Sequence, residues 1–276
     1  MAEIGKMNSL QVVKQLDFGI YVDGGDYGEI LVPSRYVPEG IKQGDIIDVF
    51  LYRDSEDRLI ATTEKPLAIV GEFAFLKVVA ITTIGAFLDW GLVKDIFLPY
   101  REQAHNVEIG KKYLVHIYLD KETERIVAST KTDKFLDNVP PLFTTGEEVD
   151  LMIAGKTELG YKAIINNTHS GIIYKNEVFK PLKQGQKLKG YIKKIRADFK
   201  IDLSLQKKVL EQKDETAGKI LEYLKQNGGK TDITDKSNPE IIYRRFEVSK
   251  KTYKMALGAL YKKKLIVIED KLIRLA

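Results

Sequence analysis

The residues able to do chemistry in this chain are few, and their types suit binding better than bond-making. His105, His116 and His169 are the only histidines, and there is no cysteine. The three fall in a loop, inside a strand-like run and in a turn, at no spacing that would gather them on one metal. Disulfides and thiolate metal sites are excluded, and a reducing, cytoplasmic setting is the expectation. Nucleophile elbow, phosphate-binding loop and dinucleotide fingerprint are absent. Carboxylates are plentiful, yet "DSED" at 54–57 and "DKETE" at 120–124 read as hairpin turns, where solvated charge is usual. A metal-dependent nuclease would need Asp and Glu converging from several strands, and the sequence marks no such set. No catalytic residue, metal or cofactor is therefore expected. What remains are aromatics beside glycines, Phe18, Tyr21 and Phe87, and a series of cations. The cations are Lys162, Lys193, Lys194, Arg196, Lys200, Lys250, Lys251 and Lys254. Rings of this kind stack on nucleobases, and such cations neutralise phosphates.

The elements that position these residues repeat. "FGIYV" at 18–22, "IGAFLDWG" at 84–91 and "LGYKA" at 159–163 share a glycine, and Gly19, Gly85 and Gly160 are each followed 25 residues later by Gly44, Gly110 and Gly185. Both series advance by 66 and then 75 residues, which marks three copies of one unit. In the second copy "FAFLKVVAI", "GAFLDW", "KDIFLP", "KKYLVHIYL" and "RIVAST" read as five short strands, rich in β-branched and aromatic residues and bounded by turns. Five strands in a unit this short favour a small closed barrel over a sheet with open edges. The oligonucleotide-binding (OB) fold is the barrel of this size. A bulge at the early glycine of strand 2 would bring Phe18 with Tyr21, or Ile84 with Phe87, onto one outer face.

The order "FGIYV…GEILVPSRYV…IKQGDIIDVFLYRDSEDRLIATT" resembles the ribosomal-protein-S1 type of RNA-binding OB domain. The third copy matches that family's close, with Leu203 and Ser204 in "KIDLSL". The family's histidine after strand 3 is replaced by Pro33, Pro99 and Tyr174, and the third copy has Leu159 and Lys162 at the two platform positions. The acidic and basic positions near strands 4 and 5 correspond to Asp54 with Arg58 and to Asp120 with Arg125, whereas the third copy offers Arg196 and Lys200.

After residue 214 the pattern turns helical. Ala217, Ile220, Leu221 and Leu224 fall at helical spacing before "NGG". Asn238 and Pro239 read as the cap and first residue of a second helix, and Ser249 as the cap of a third. On that third helix Tyr253, Ala256, Leu257 and Leu260 share one side, and Lys250, Lys251, Lys254, Tyr261 and Lys262 another. "LIVIEDKLIRLA" reads as two strands around a turn, completing the layout of a winged helix. The fold expected is mainly β with a small α+β end. It comprises S1-like OB barrels over 1–64, 65–138 and 146–212, then a winged helix over 215–276.

Three such barrels followed by a winged helix resemble the bacterial conserved virulence factor B family. The resemblance implies a non-catalytic RNA-binding regulatory protein that influences gene expression after transcription, including virulence. Charge agrees, because residues 1–145 hold 16 Lys and Arg against 22 Asp and Glu, while residues 146–276 hold 28 against 17. A polyanion is thus expected at the C-terminal half. Single-stranded RNA is the partner expected. The alternative is DNA, bound by the winged helix of a transcription regulator whose barrels serve as interaction modules. No stretch has the apolar length of a membrane span and the first residues lack a signal peptide's regions, so no membrane partner is expected. The pattern specifies no oligomeric state.

Overall fold

In a computed structural model, residues 1–178, 180–206, 209–269 and 272–276 are described. They form two compact units, Met1–Val139 with Asn167–His169, and Pro140–Asn166 with Ser170–Ala276.

In the first unit, β1 (Met7–Leu16), β2 (Gly19–Asp23), β3 (Glu29–Pro33), β4 (Ile46–Arg53) and β5 (Leu59–Thr62) close a barrel in the order β1-β2-β3-β5-β4. The closure is antiparallel between β4 and β1, while β3 and β5 run parallel. Inward positions carry Val12, Ile20, Val22, Ile30, Val32, Ile47, Val49, Leu51 and Ala61, all buried. Their alternation with outward residues gives each strand one buried face. The second barrel repeats the order with β6 (Phe73–Ile81), β7 (Gly85–Asp89), β8 (Ile96–Pro99), β9 (Lys112–Leu119) and β10 (Ile126–Ser129). Five strands were expected in this copy, and each expected run contains its observed strand.

The second unit holds the third barrel, save the first residue of β13, with β11 (Glu148–Lys156), β12 (Gly160–Ile165), β13 (His169–Tyr174), β14 (Lys187–Ile195) and β15 (Ile201–Ser204). His169, expected in a turn, opens β13 and is buried. The unit continues with α1 (Val209–Gln226), β16 (Lys230–Thr231), α2 (Pro239–Phe246), α3 (Lys250–Lys262), β17 (Ile266–Ile268) and β18 (Ile273–Leu275). Asn238 caps α2 by accepting from Glu240 N–H, Pro239 fills its first turn, and Ser249 caps α3 by accepting from Thr252 N–H. Ile220, Leu224, Ile242, Phe246, Tyr253, Leu257 and Leu260 fill the core between the helices. The wing has a third strand, β16, on the far side of β18 from β17. The expected turn between β17 and β18 falls at Asp270 and Lys271, outside the described residues.

Candidate nucleic-acid interface

The glycine that opens the second strand of each barrel has a packing reason different from the one expected. Gly85 lies at φ 155°, and a Cβ there would sit 2.5 Å from Leu98 O and 3.0 Å from the Pro99 Cα. Backbone of the third strand occupies the space a side chain would need, and Gly19 and Gly160 meet Val32 O and Ile173 O in the same way. The bulge is on the partner strand, between Val12 and Lys14 in β1, Val78 and Ala80 in β6, and Ile153 and Gly155 in β11. The first strand thus bends while the glycine lets the third strand close in.

This geometry leaves the residue before each glycine on the outside. Phe18, Ile84 and Leu159 are 54%, 63% and 57% exposed. The second platform position is half-buried in all three barrels, as Tyr21, Phe87 and Lys162. In barrel one the Phe18 ring meets Tyr21 edge-on at 6.3 Å, and the Lys14 amine lies 5.6 Å from the Tyr21 centroid. An open groove of about 540 Å³ runs beside Tyr21, lined also by Leu31, Pro33, Arg35, Tyr52 and Arg58. In barrel two Phe87 packs on Phe97 at 5.2 Å. Rings held this way present a face on which an unpaired base can stack.

The cations of barrel three divide by partner. Lys193 Nζ lies 2.6 Å from Glu177, Lys200 Nζ 3.0 Å from Asp198, and Arg196 binds Asp202 at 2.7 Å and donates to the Tyr174 hydroxyl. Lys194 points to solvent with no ion pair among the described residues. The acidic and basic positions near strands 4 and 5 pair differently from copy to copy. Asp54 takes Arg58 at 2.7 Å, but Asp120 takes Arg101 at 2.6 Å. Arg125, expected beside Asp120, reaches instead across to Asp57 of barrel one, and its guanidinium holds the Asp57 carboxyl below the usual range.

On α3 the apolar side is buried as its spacing required, and Lys251, Lys254, Tyr261 and Lys262 are exposed. Lys254 lies 3.7 Å from Asp235, and Lys250 is tied down by donating to Ser237 O at 2.9 Å. Lys251 is the α3 counterpart of Lys194, exposed with no partner among the described residues.

Sequence reasoning missed the joint between the first two barrels. Phe50 and Tyr52 of β4 join the core of barrel two, where the Phe50 ring meets Trp90 edge-on at 5.6 Å. Trp90 Nε1 donates to Lys94 O, and Lys94 Nζ donates to Arg53 O at 2.8 Å and Asp54 O at 2.7 Å. Desolvation pushes the Lys94 amine pKa down. With Arg53 bound to Glu124 at 2.7 Å and Arg125 to Asp57, the two barrels share one apolar and ionic seam. Trp90 fell at the end of an expected strand, "GAFLDW", with no local signal of a partner in another barrel. His116 lies inside β9, in a strand as expected, buried under Phe135 with ring centres 3.9 Å apart, and burial pushes its pKa down to about 4.

Three OB barrels with exposed platform positions and a winged helix with a lysine-rich third helix define a protein built of nucleic-acid-binding modules. Comparison with known families agrees: residues 4–64 and 70–131 match the S1 domain, and residues 218–275 match the CvfB-like winged helix domain. The chain belongs to the conserved virulence factor B family. It is 30% identical over 271 residues to the uncharacterized protein YitL of Bacillus subtilis, covering 94% of this chain and 89% of that one. Conserved virulence factor B of Staphylococcus saprophyticus is 26% identical, with 97% and 92% covered, and that of Staphylococcus epidermidis 24%, with 96% and 92% covered. A multidomain protein with nucleic acid binding domains from Streptococcus pneumoniae aligns over 99% of this chain and 98% of its own, at 22% identity and a TM-score of 0.41. The family is of a nucleic-acid-binding type and not of a known enzyme class. Among the described residues no helix is long and apolar enough to cross a membrane, and no group of His, Asp and Glu is placed to hold a metal.

Proposed function

We propose that this protein binds single-stranded RNA and regulates gene expression after transcription without catalysing a reaction. The observation that carries this reading is the threefold exposed platform, Phe18, Ile84 and Leu159, each beside a half-buried second position. An OB face accepts bases that are splayed out of a stack, which duplex DNA does not offer. The basic third barrel and α3 add phosphate contacts that do not read sequence, since lysine lacks the fork that arginine offers to guanine. Relatives carrying the name virulence factor extend the reading to control of virulence genes. The test is competition between single-stranded RNA, single-stranded DNA and duplex DNA of equal length at one stated salt concentration. RNA is expected to compete best. Duplex DNA competing equally well would replace this reading with a DNA-binding regulator that uses its winged helix.

A further inference from the structure

The seam between the first two barrels also encloses a slot of about 310 Å³, room for roughly ten waters. One wall is the outer face of barrel two, with Phe87, Phe97 and Ile84, and the other is the β4–β5 hairpin of barrel one, from Tyr52 to Asp57. Almost every charge on its rim has a partner: Arg53 with Glu124, Asp54 with Arg58, Asp57 with Arg125, and Lys94 with two backbone carbonyls. Asp95 differs. It lines the slot half-buried, and among the described residues no hydrogen-bond donor or cation reaches its carboxylate.

The register makes that position costly. Phe87 pairs with Phe97 and Leu88 with Ile96, and just beyond the last pair Asp89 and Asp95 come close enough for their charges to act on each other. Like charges so placed destabilise a sheet. Asp89 is partly compensated by the Gly91 N–H at 3.0 Å, whereas burial and then Asp89 push the Asp95 carboxyl up. An unpartnered acceptor kept beside a ring platform against this cost marks a place for donors brought by a ligand.

We propose that the inter-barrel slot takes one unpaired guanine, stacked on Phe87 and Phe97, with its N1–H and N2–H donated to the Asp95 carboxylate. Guanine alone among the four bases presents two parallel donors on its Watson–Crick edge, matching the two oxygens. Uracil presents one donor flanked by carbonyls that a carboxylate repels, and adenine and cytosine present one amino group each. The inference rests on the single-stranded reading above and adds base selection to it.

The experiment measures the full chain binding a uridine oligomer and the same oligomer with one central guanosine, each also made as DNA. Guanosine is expected to tighten RNA binding about tenfold. Asp95→Asn should bring the two RNAs to within about twofold, because the amide no longer offers two acceptors. It should leave the uridine oligomer bound equally or more tightly, since a negative charge near phosphate is gone, and should melt no lower than the parent. Binding without a guanine preference, or a preference that survives Asp95→Asn, overturns the slot alone. No binding of either RNA overturns the single-strand reading, and the slot with it. The same guanine preference on a DNA backbone supports the slot as a reader of the base while removing selectivity for RNA.

Discussion

The two units use charge in opposite ways. Residues through 145 hold more Asp and Glu than Lys and Arg, 22 to 16. Arg53, Lys94 and Arg125 all hold barrel one against barrel two. From residue 146 onward 28 Lys and Arg face 17 Asp and Glu, and Lys194 and Lys251 stand exposed without partners among the described residues. Phosphate contacts supply affinity and base contacts supply selection. A basic unit and an acidic unit with ring platforms therefore suit different halves of one task. On the single-strand reading, the basic unit would hold the strand and the acidic unit would inspect what is on it.

The largest expected effect is on the units taken apart. Each has its own buried clusters, so fragments 1–139 and 140–276 should each melt cooperatively. At physiological salt the second should keep most of the RNA affinity of the whole chain. The first should bind on the order of a hundredfold more weakly. Equal affinities would show that local patches near Arg35 and Arg101 outweigh net charge, and the division of labour would be gone.

Glycine separates the units in stability. Gly85→Ala places a Cβ 2.5 Å from Leu98 O at a φ of 155°, and the chain should lose on the order of 3 kcal/mol in urea denaturation. Gly258 lies in α3 with nothing within 4 Å of its missing Cβ. Gly258→Ala should therefore gain up to about 1 kcal/mol from helix propensity. If Gly85→Ala is tolerated as well, the barrel glycines do not serve close approach between strands.

A pH dependence should belong to the first unit. His116 lies against Phe73 and Phe135, its Nδ1 lacks a partner among the described residues, and burial pushes its pKa down to about 4. The unfolded chain binds a proton near the ordinary value of about 6.5, before the folded chain does. The stability linked to this histidine is therefore complete above that value and is lost as pH falls toward 4. Allowing for residual solvent contact, the loss is about 2 kcal/mol. His116→Phe should flatten this part of the melting-temperature profile of fragment 1–139. A profile as steep in the variant as in the parent would assign the effect to other groups.

How much of this could be read from the chain depends on the range of each interaction. Asn238 and Ser249 act on N–H groups two and three residues ahead, and such caps are visible in a short window. The barrels were legible because Gly19, Gly85 and Gly160 recur with their later partners at one offset. The glycine's actual role was not, since the carbonyl it admits belongs to another strand. The seam was hidden for the same reason: Phe50 and Trp90 lie 40 residues apart, and Arg125 looked local to Asp120 until Asp57 proved closer. β16 escaped because two residues show no alternation. Asp95 fell inside the expected strand "KDIFLP" with nothing to single it out, and only the fold brings it close to Asp89.

The smallest expected effect distinguishes lysines within the basic unit. A cation that contacts phosphate releases counterions from the strand, and each contact adds about 0.7 to the slope of log affinity against log salt. A lysine already paired with a carboxylate contributes less, because binding phosphate must compete with that partner. Lys193 and Lys200 are paired with Glu177 and Asp198. Lys194 and Lys251 are not paired among the described residues. Lys194→Ala and Lys251→Ala should each reduce the slope for single-stranded RNA by about 0.7, while Lys193→Ala and Lys200→Ala should reduce it by clearly less. Binding of one RNA to the full-length chain, measured across a salt series, decides between them. Four equal reductions would mean that the ion pairs on barrel three open when RNA arrives, so that its net charge and not its unpaired lysines sets the affinity. No reduction from Lys194→Ala would move the phosphate path off that face of the barrel and leave α3 as the main electrostatic contact.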